Sequence, residues 1–169
     1  REWLHSAALL HDVGYAVGRS KHNRHSYYLI THGNLTGFAA EEIEAIASIA
    51  RYHRGKCPKD SHENWQVLDP ILRPVVEKLS ALLRIAVALD RSHGQLVADV
   101  TCTVRPRRVE FEAVARGDCE AELAAARKKA DLFEKVFDRR ATFRAVLAER
   151  REPLHQRNLE MVSAEALWS

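Results

Sequence analysis

The sequence is short of the residues that build stapled or loop-rich scaffolds. Its 169 residues hold three cysteines. Cys57, Cys102 and Cys119 are odd in number and widely spaced, with no CxxC pair, so neither a disulfide framework nor a zinc–cysteine site is expected. They read as free thiols of a reducing cytoplasm. Seven glycines, five prolines and 7% aromatics disfavour an all-β barrel. No apolar stretch approaches the ~20 residues of a bilayer-spanning helix, and Arg1 to Tyr15 lacks the flanks and cleavage site of a signal peptide. A cytoplasmic protein without a membrane partner is expected. Methionine is nearly absent as well: the chain opens on Arg1 and its one Met is Met161, which reads as a piece of a longer protein.

What is present is a globular balance, 46% hydrophobic and 29% charged, with 26 Lys+Arg against 23 Asp+Glu and nine histidines. Wholesale disorder is excluded. The length fits one domain or two small units.

Periodicity divides the chain. Leu4, Ala7, Ala8 and Leu10 give a helical stripe that Gly14 stops, predicting a helix over 2–14. Residues 15–24 read as a basic loop, and 25–32 as a short helix ended by Gly33-Asn34. Ile43, Ile46, Ile49 and Ala50 predict a helix over 39–54, with Glu41, Glu42 and Glu44 suited to its first turns. After a loop at 56–68, Asp69 as N-cap and Pro70 open a helix to His93, with Ile71, Leu72, Val75, Val76, Leu79, Leu82, Leu83, Ala86 and Leu89 on its apolar face. The period then changes to two. Val100, Cys102 and Val104 precede a turn at Pro106-Arg107, and Val109, Phe111 and Ala113 follow it, as in a β-hairpin. A helix over 120–137 and a strand over 140–147 complete a ββαβ unit. The fold class is α+β: a mostly helical domain at 1–94, a ββαβ domain at 95–148 and a tail at 149–169.

Two groups of residues could carry chemistry. His11 and Asp12 lie at the apolar side of the first helix, His53 is four residues after Ile49, and Asp90 is four after Ala86, near a helix C-terminus that disfavours an anion. A buried carboxylate needs a compensating charge, a hydrogen bond or a metal. Imidazole with carboxylate suits a divalent ion of a phosphohydrolase, while a cap or ion-pair role accounts for the same residues. The second group is basic: Arg19, Lys21, Arg24, Arg51, Arg54, Lys56 and Lys59, interspersed with His22, His25, His32 and His53. Such a surface could hold phosphate oxygens, or be a solvated face. Nucleic acid is disfavoured, because aromatics interleave with this group only at Tyr27, Tyr28 and Tyr52.

The strings WLHSAALLHDVGY, KHNRHSYYLI, ARYHRG and LLRIAVALDRSHG, with ADLFEKVFDRR at 130–140, resemble the C-terminal region of the Ppx/GppA family of exopolyphosphatases and guanosine pentaphosphate phosphohydrolases. The resemblance covers about residues 1–147. It implies an HD-type helical domain followed by a small α/β domain, which lines a basic channel for polyphosphate and helps form a homodimer. It places catalysis, with its magnesium, in N-terminal actin-like domains, of which this chain has no Gly-rich phosphate loop, so the chain alone is expected to be inactive on polyphosphate. It matches His11, Asp12 and Asp90 to the metal ligands of HD domains, a site some family members have lost. His25 and His53 fall at the intervening histidine positions. Polyphosphate or guanosine pentaphosphate is thus the expected partner of Lys21, His22, Arg24, His25, Arg51, His53, Arg54 and Lys56. The alternative is an autonomous metal-dependent HD phosphohydrolase acting on a nucleotide or phosphomonoester.

Overall fold

The computed structural model describes residues 1–147, and the tail expected at 149–169 lies outside them. The architecture is α+β. The chain divides into two compact units, Arg1–Val87 and a second that begins at Ala88. No helix among the described residues is long and apolar enough to cross a membrane.

The first unit is helical: α1 (Glu2–Leu10), a 3-10 turn (Val13–Ala16), α2 (His22–His32), α3 (Ala40–Arg51), α4 (Glu63–Val67) and α5 (Arg73–Leu89), which runs past the division. Helix α3 is its centre. Every residue from Ala45 to Ala50 is buried, because α1 and α2 both pack against it. Ile46 and Ile49 join Ala7, Ile30, Tyr52, Trp65, Leu68, Val76, Leu79 and Leu83 in one core. Burying side chains of this size stabilises by about 1.5–3 kcal/mol each. The α3 N-terminus is held by Glu42, whose carboxylate accepts from the Ala39 amide and from the Trp3 indole, both at 3.0 Å. That docks α1 onto the start of α3.

Three expectations shift here. The segment 56–68 is not all loop, because Trp65 enters the core through α4. Asp69 caps a turn rather than the helix itself, accepting from the Ile71 amide at 2.8 Å. Ile71 is therefore 82% exposed, and α5 starts at Arg73. The apolar face does continue to Leu89, which is buried, but Ala86 within it is exposed, and so is Asp90 beyond it.

The second unit is a three-stranded sheet, order β1-β2-β3, with β1 (Val97–Arg105), β2 (Arg108–Ala115) and β3 (Arg140–Leu147). Strands β1 and β2 form the antiparallel hairpin, with Val104 opposite Val109. Strand β3 returns parallel to β2, with Phe111 opposite Phe143. A parallel return needs a crossover, supplied by α6 (Glu120–Lys129) and α7 (Asp131–Phe137). The single helix expected over 120–137 breaks at Ala130. On β2 alternate residues Val109, Phe111, Ala113 and Ala115 are buried, so one face meets the helices and the other meets water. Phe111 stacks on Phe143 at 4.9 Å and meets Phe133 edge-on at 5.4 Å.

Candidate functional site

The site begins with a turn that only glycine allows. Helix α1 ends at Leu10, and His11, Asp12 and the 3-10 turn carry the chain back across the start of α2. A Cβ on Gly14 would stand 2.1 Å from the His22 carbonyl oxygen and 2.5 Å from the Ser26 amide. The close approach lets the Gly14 amide donate to Ser26 Oγ at 2.9 Å, while that hydroxyl donates to the His11 carbonyl at 2.6 Å. A second tie, from Asn23 Nδ2 to the Arg51 carbonyl at 2.8 Å, brings the start of α2 to the end of α3.

These ties collect four titratable side chains from three segments. Asp12 Oδ1 lies 3.2 Å from His22 Nε2 and 3.7 Å from His53 Nε2, and its Oδ2 lies 3.3 Å from His11 Nε2. Each imidazole is oriented by a carbonyl: His11 Nδ1 donates to Ala8 at 2.7 Å, His22 Nδ1 to Arg19 at 3.3 Å, and His53 Nδ1 to Ala50 at 2.6 Å. A carbonyl can only accept, so each Nδ1 carries the hydrogen, and in the neutral ring Nε2 is the atom that presents a lone pair. Three lone pairs thus converge on a carboxylate, and the His22 and His53 Nε2 atoms are 3.4 Å apart.

Burial disfavours the charged form of His53 and His22. It pushes the His53 imidazole down to about 4, against the opposing pull of its Ala50 hydrogen bond and Asp12. Burial also lowers His22, with the Arg54 guanidinium adding to the effect. Lone pairs facing a carboxylate need a positive charge between them, either a proton or a metal ion. His11, Asp12 and His53 offer ligand atoms all within 4.8 Å of one another. Imidazole and carboxylate donors with hydrogen-bonded Nδ1–H groups fit a divalent transition metal.

Basic groups stand beside the cluster. Arg54 Nη1 lies 3.1 and 3.3 Å from the two nitrogens of His22. An atom that close to both sits over the ring, which also stacks on Tyr15 at 3.9 Å. Lys21, Arg24, Arg54 and Lys56 are exposed. Arg51 is half-buried, with its guanidinium over the Tyr27 ring at 5.5 Å. His62 stands among these cations: burial lowers it first, and Arg51, Lys59, Arg24 and Lys56 lower it further.

The residues expected from sequence therefore regroup. His11, Asp12 and His53 come together, and His22 joins them instead of lying among the surface cations. His25 is half-buried and outside the cluster. Asp90 belongs to the second unit and does not face inward: its side chain is 56% exposed, 3.8 Å from His93 Nδ1. Sequence reasoning also missed Arg84. It is buried on α5, and its Nη1 donates to the carbonyls of Tyr52 and Gly55 at 3.2 and 3.1 Å, fixing the turn that carries His53 and Arg54.

Compared with known families, residues 1–119 match the model described as Ppx/GppA phosphatase, domain III. The match takes in both ties, the four-residue cluster and the basic surface, and extends through β2. The chain belongs to the Ppx/GppA phosphatase family.

Proposed function

We propose that this chain is the polyphosphate-binding portion of an exopolyphosphatase-like protein. The observation that carries this reading is the clustering of Arg24, Arg51, Lys56 and Lys59 around His62, which burial lowers first and these cations lower further. A linear polyanion would cross Lys21, Arg24, Arg54 and Lys56, each offering charge-assisted donors to phosphate oxygens. Arg51, anchored on Tyr27, would contribute field more than contact. Hydrolysis would fall to the family's actin-like domains with their magnesium, and the chain would contribute to a homodimer. Guanosine pentaphosphate offers the same chemistry in a shorter chain.

The test is binding of long-chain polyphosphate to the purified chain over a salt series. Affinity should fall steeply with salt and drop at least tenfold in the Lys21→Ala/Arg24→Ala/Lys56→Ala variant, with no phosphate released. Efficient phosphate release by the chain alone, or salt-independent binding, would reject the reading.

The imidazole–carboxylate cluster favours a second reading, an HD-type metal site. His11, Asp12, His22 and His53 would hold a divalent ion, which would supply an activated water and charge for phosphate-ester hydrolysis. Within it, the carbonyls of Ala8, Arg19 and Ala50 hold the three rings by Nδ1 and aim the three Nε2 atoms inward. Elemental analysis decides: stoichiometric metal that is lost in His11→Ala favours this reading, and metal-free protein of unchanged stability after chelation counts against it.

A further inference from the structure

The second unit carries a cluster of arginines that the reading above does not use. Where the β1–β2 turn meets the start of β3, the Arg140 amide donates to the Arg107 carbonyl at 3.0 Å. A cavity of about 370 Å³ opens there, lined by Arg107, Glu134, Asp138, Arg139 and Arg140. That volume is in the range of small-molecule sites, ~300–1,000 Å³. Arginines next to it on the sheet are ion-paired: Arg105 and Arg108 share Glu110 at 3.7 and 2.7 Å, and Arg144 pairs with Glu112. Arg107, Arg139 and Arg140 differ, because among the described residues no carboxylate lies within ion-pair distance of any of them. Glu134 is already engaged, accepting from the Ala141 amide at 2.9 Å. Arg139 donates one guanidinium hydrogen to the Phe137 carbonyl at 3.1 Å. Its Nε–H, though, is shielded from water with no acceptor. That shielding keeps the Nε–H from an external ligand as it does from water, so an oxyanion in the cavity would meet the Nη groups of the fork.

We propose that this cavity binds a phosphate-class dianion between the guanidinium groups of Arg107, Arg139 and Arg140. Planar guanidinium forks match tetrahedral oxyanions in two-point contact. The ligand is a phosphate monoester or the end of a condensed phosphate. The argument is independent of the polyphosphate surface on the first unit, and so is its test.

The full chain carrying Lys21→Ala, Arg24→Ala and Lys56→Ala silences the first surface. Inorganic pyrophosphate and glycerol phosphate are then titrated into it at constant ionic strength. Binding of either, with a shift of the Arg139 Nε–H resonance that sodium chloride does not reproduce, is the expected result. Adding Arg107→Ala and Arg140→Ala, both exposed positions, should weaken that binding at least tenfold while the near-ultraviolet circular dichroism stays unchanged. Arg139→Lys, which keeps the charge but not the planar fork, should also weaken it. An unmoved Arg139 resonance with both probes, or affinity within twofold after removing Arg107 and Arg140, would overturn the proposal.

Discussion

Acid should unfold the first unit through His53. The folded chain protonates this imidazole at about 4, and the unfolded chain at the ordinary 6.5. Between those values the unfolded state holds the extra proton, so stability falls as pH falls through that window. Linkage over the 2.5-unit gap gives a loss of about 2 kcal/mol between pH 7 and pH 5, and about 3 kcal/mol by pH 4. Above pH 7 the contribution of His53 is flat. Other acids titrate over the same range, so the informative quantity is the difference between wild type and His53→Gln. Urea denaturation at pH 7, 6, 5 and 4, with a chelator present, gives stability at each pH. The wild type should lose about 3 kcal/mol more than His53→Gln on going from pH 7 to pH 4. Parallel acid slopes for the two proteins, or an imidazole that titrates near 6.5 by nuclear magnetic resonance, would refute the reasoning. The direction is set by burial, because the ring is only 3% exposed and its carboxylate neighbour does not offset that desolvation.

Two substitutions probe the scaffold of the site. Gly14→Ala places a methyl against the His22 carbonyl and the Ser26 amide, both backbone atoms, so relief requires moving α2. The cost should be about 3 kcal/mol, read as a lowered urea midpoint, and an unchanged midpoint would show that the turn is softer than its geometry. Arg84→Met removes the donor to two carbonyls beside His53. It should destabilise by about 3 kcal/mol, and polyphosphate binding should weaken as the turn holding Arg54 loosens; wild-type stability would argue against a positioning role.

Much of this molecule was legible because apolar spacing and burial coincide. On β2 the alternation of Val109, Phe111 and Ala113 marked the buried face directly, since only one side of that strand is covered. His53 was legible for the same reason, lying one turn past Ile49. His22 was harder to place because it starts its helix, straight after Lys21 at φ 56, with no apolar residue one turn before it. A signal existed nonetheless: His22, Ser26 and Ile30 recur every four residues, and all three are buried. Arg84 was obscured by its charge, although Ser80, Arg84 and Ala88 form one buried stripe. Asp90 misled in the opposite sense. It was placed by its spacing from Ala86, which is itself exposed. The Arg107, Arg139 and Arg140 cavity could not be read at all, because it depends on β3 returning parallel to β2, a pairing that periodicity does not encode.

The hydroxyl of Ser26 has one further consequence. It is buried against the backbone on either side of Asp12, and a serine beside a histidine–carboxylate cluster is often suspected of attacking phosphorus. A nucleophilic serine must surrender its proton to a base. Here that proton is committed to the His11 carbonyl, which cannot take it, and the oxygen already accepts from the Gly14 amide. Ser26 thus serves as a rivet joining three segments of chain rather than as a hydroxyl poised on a base.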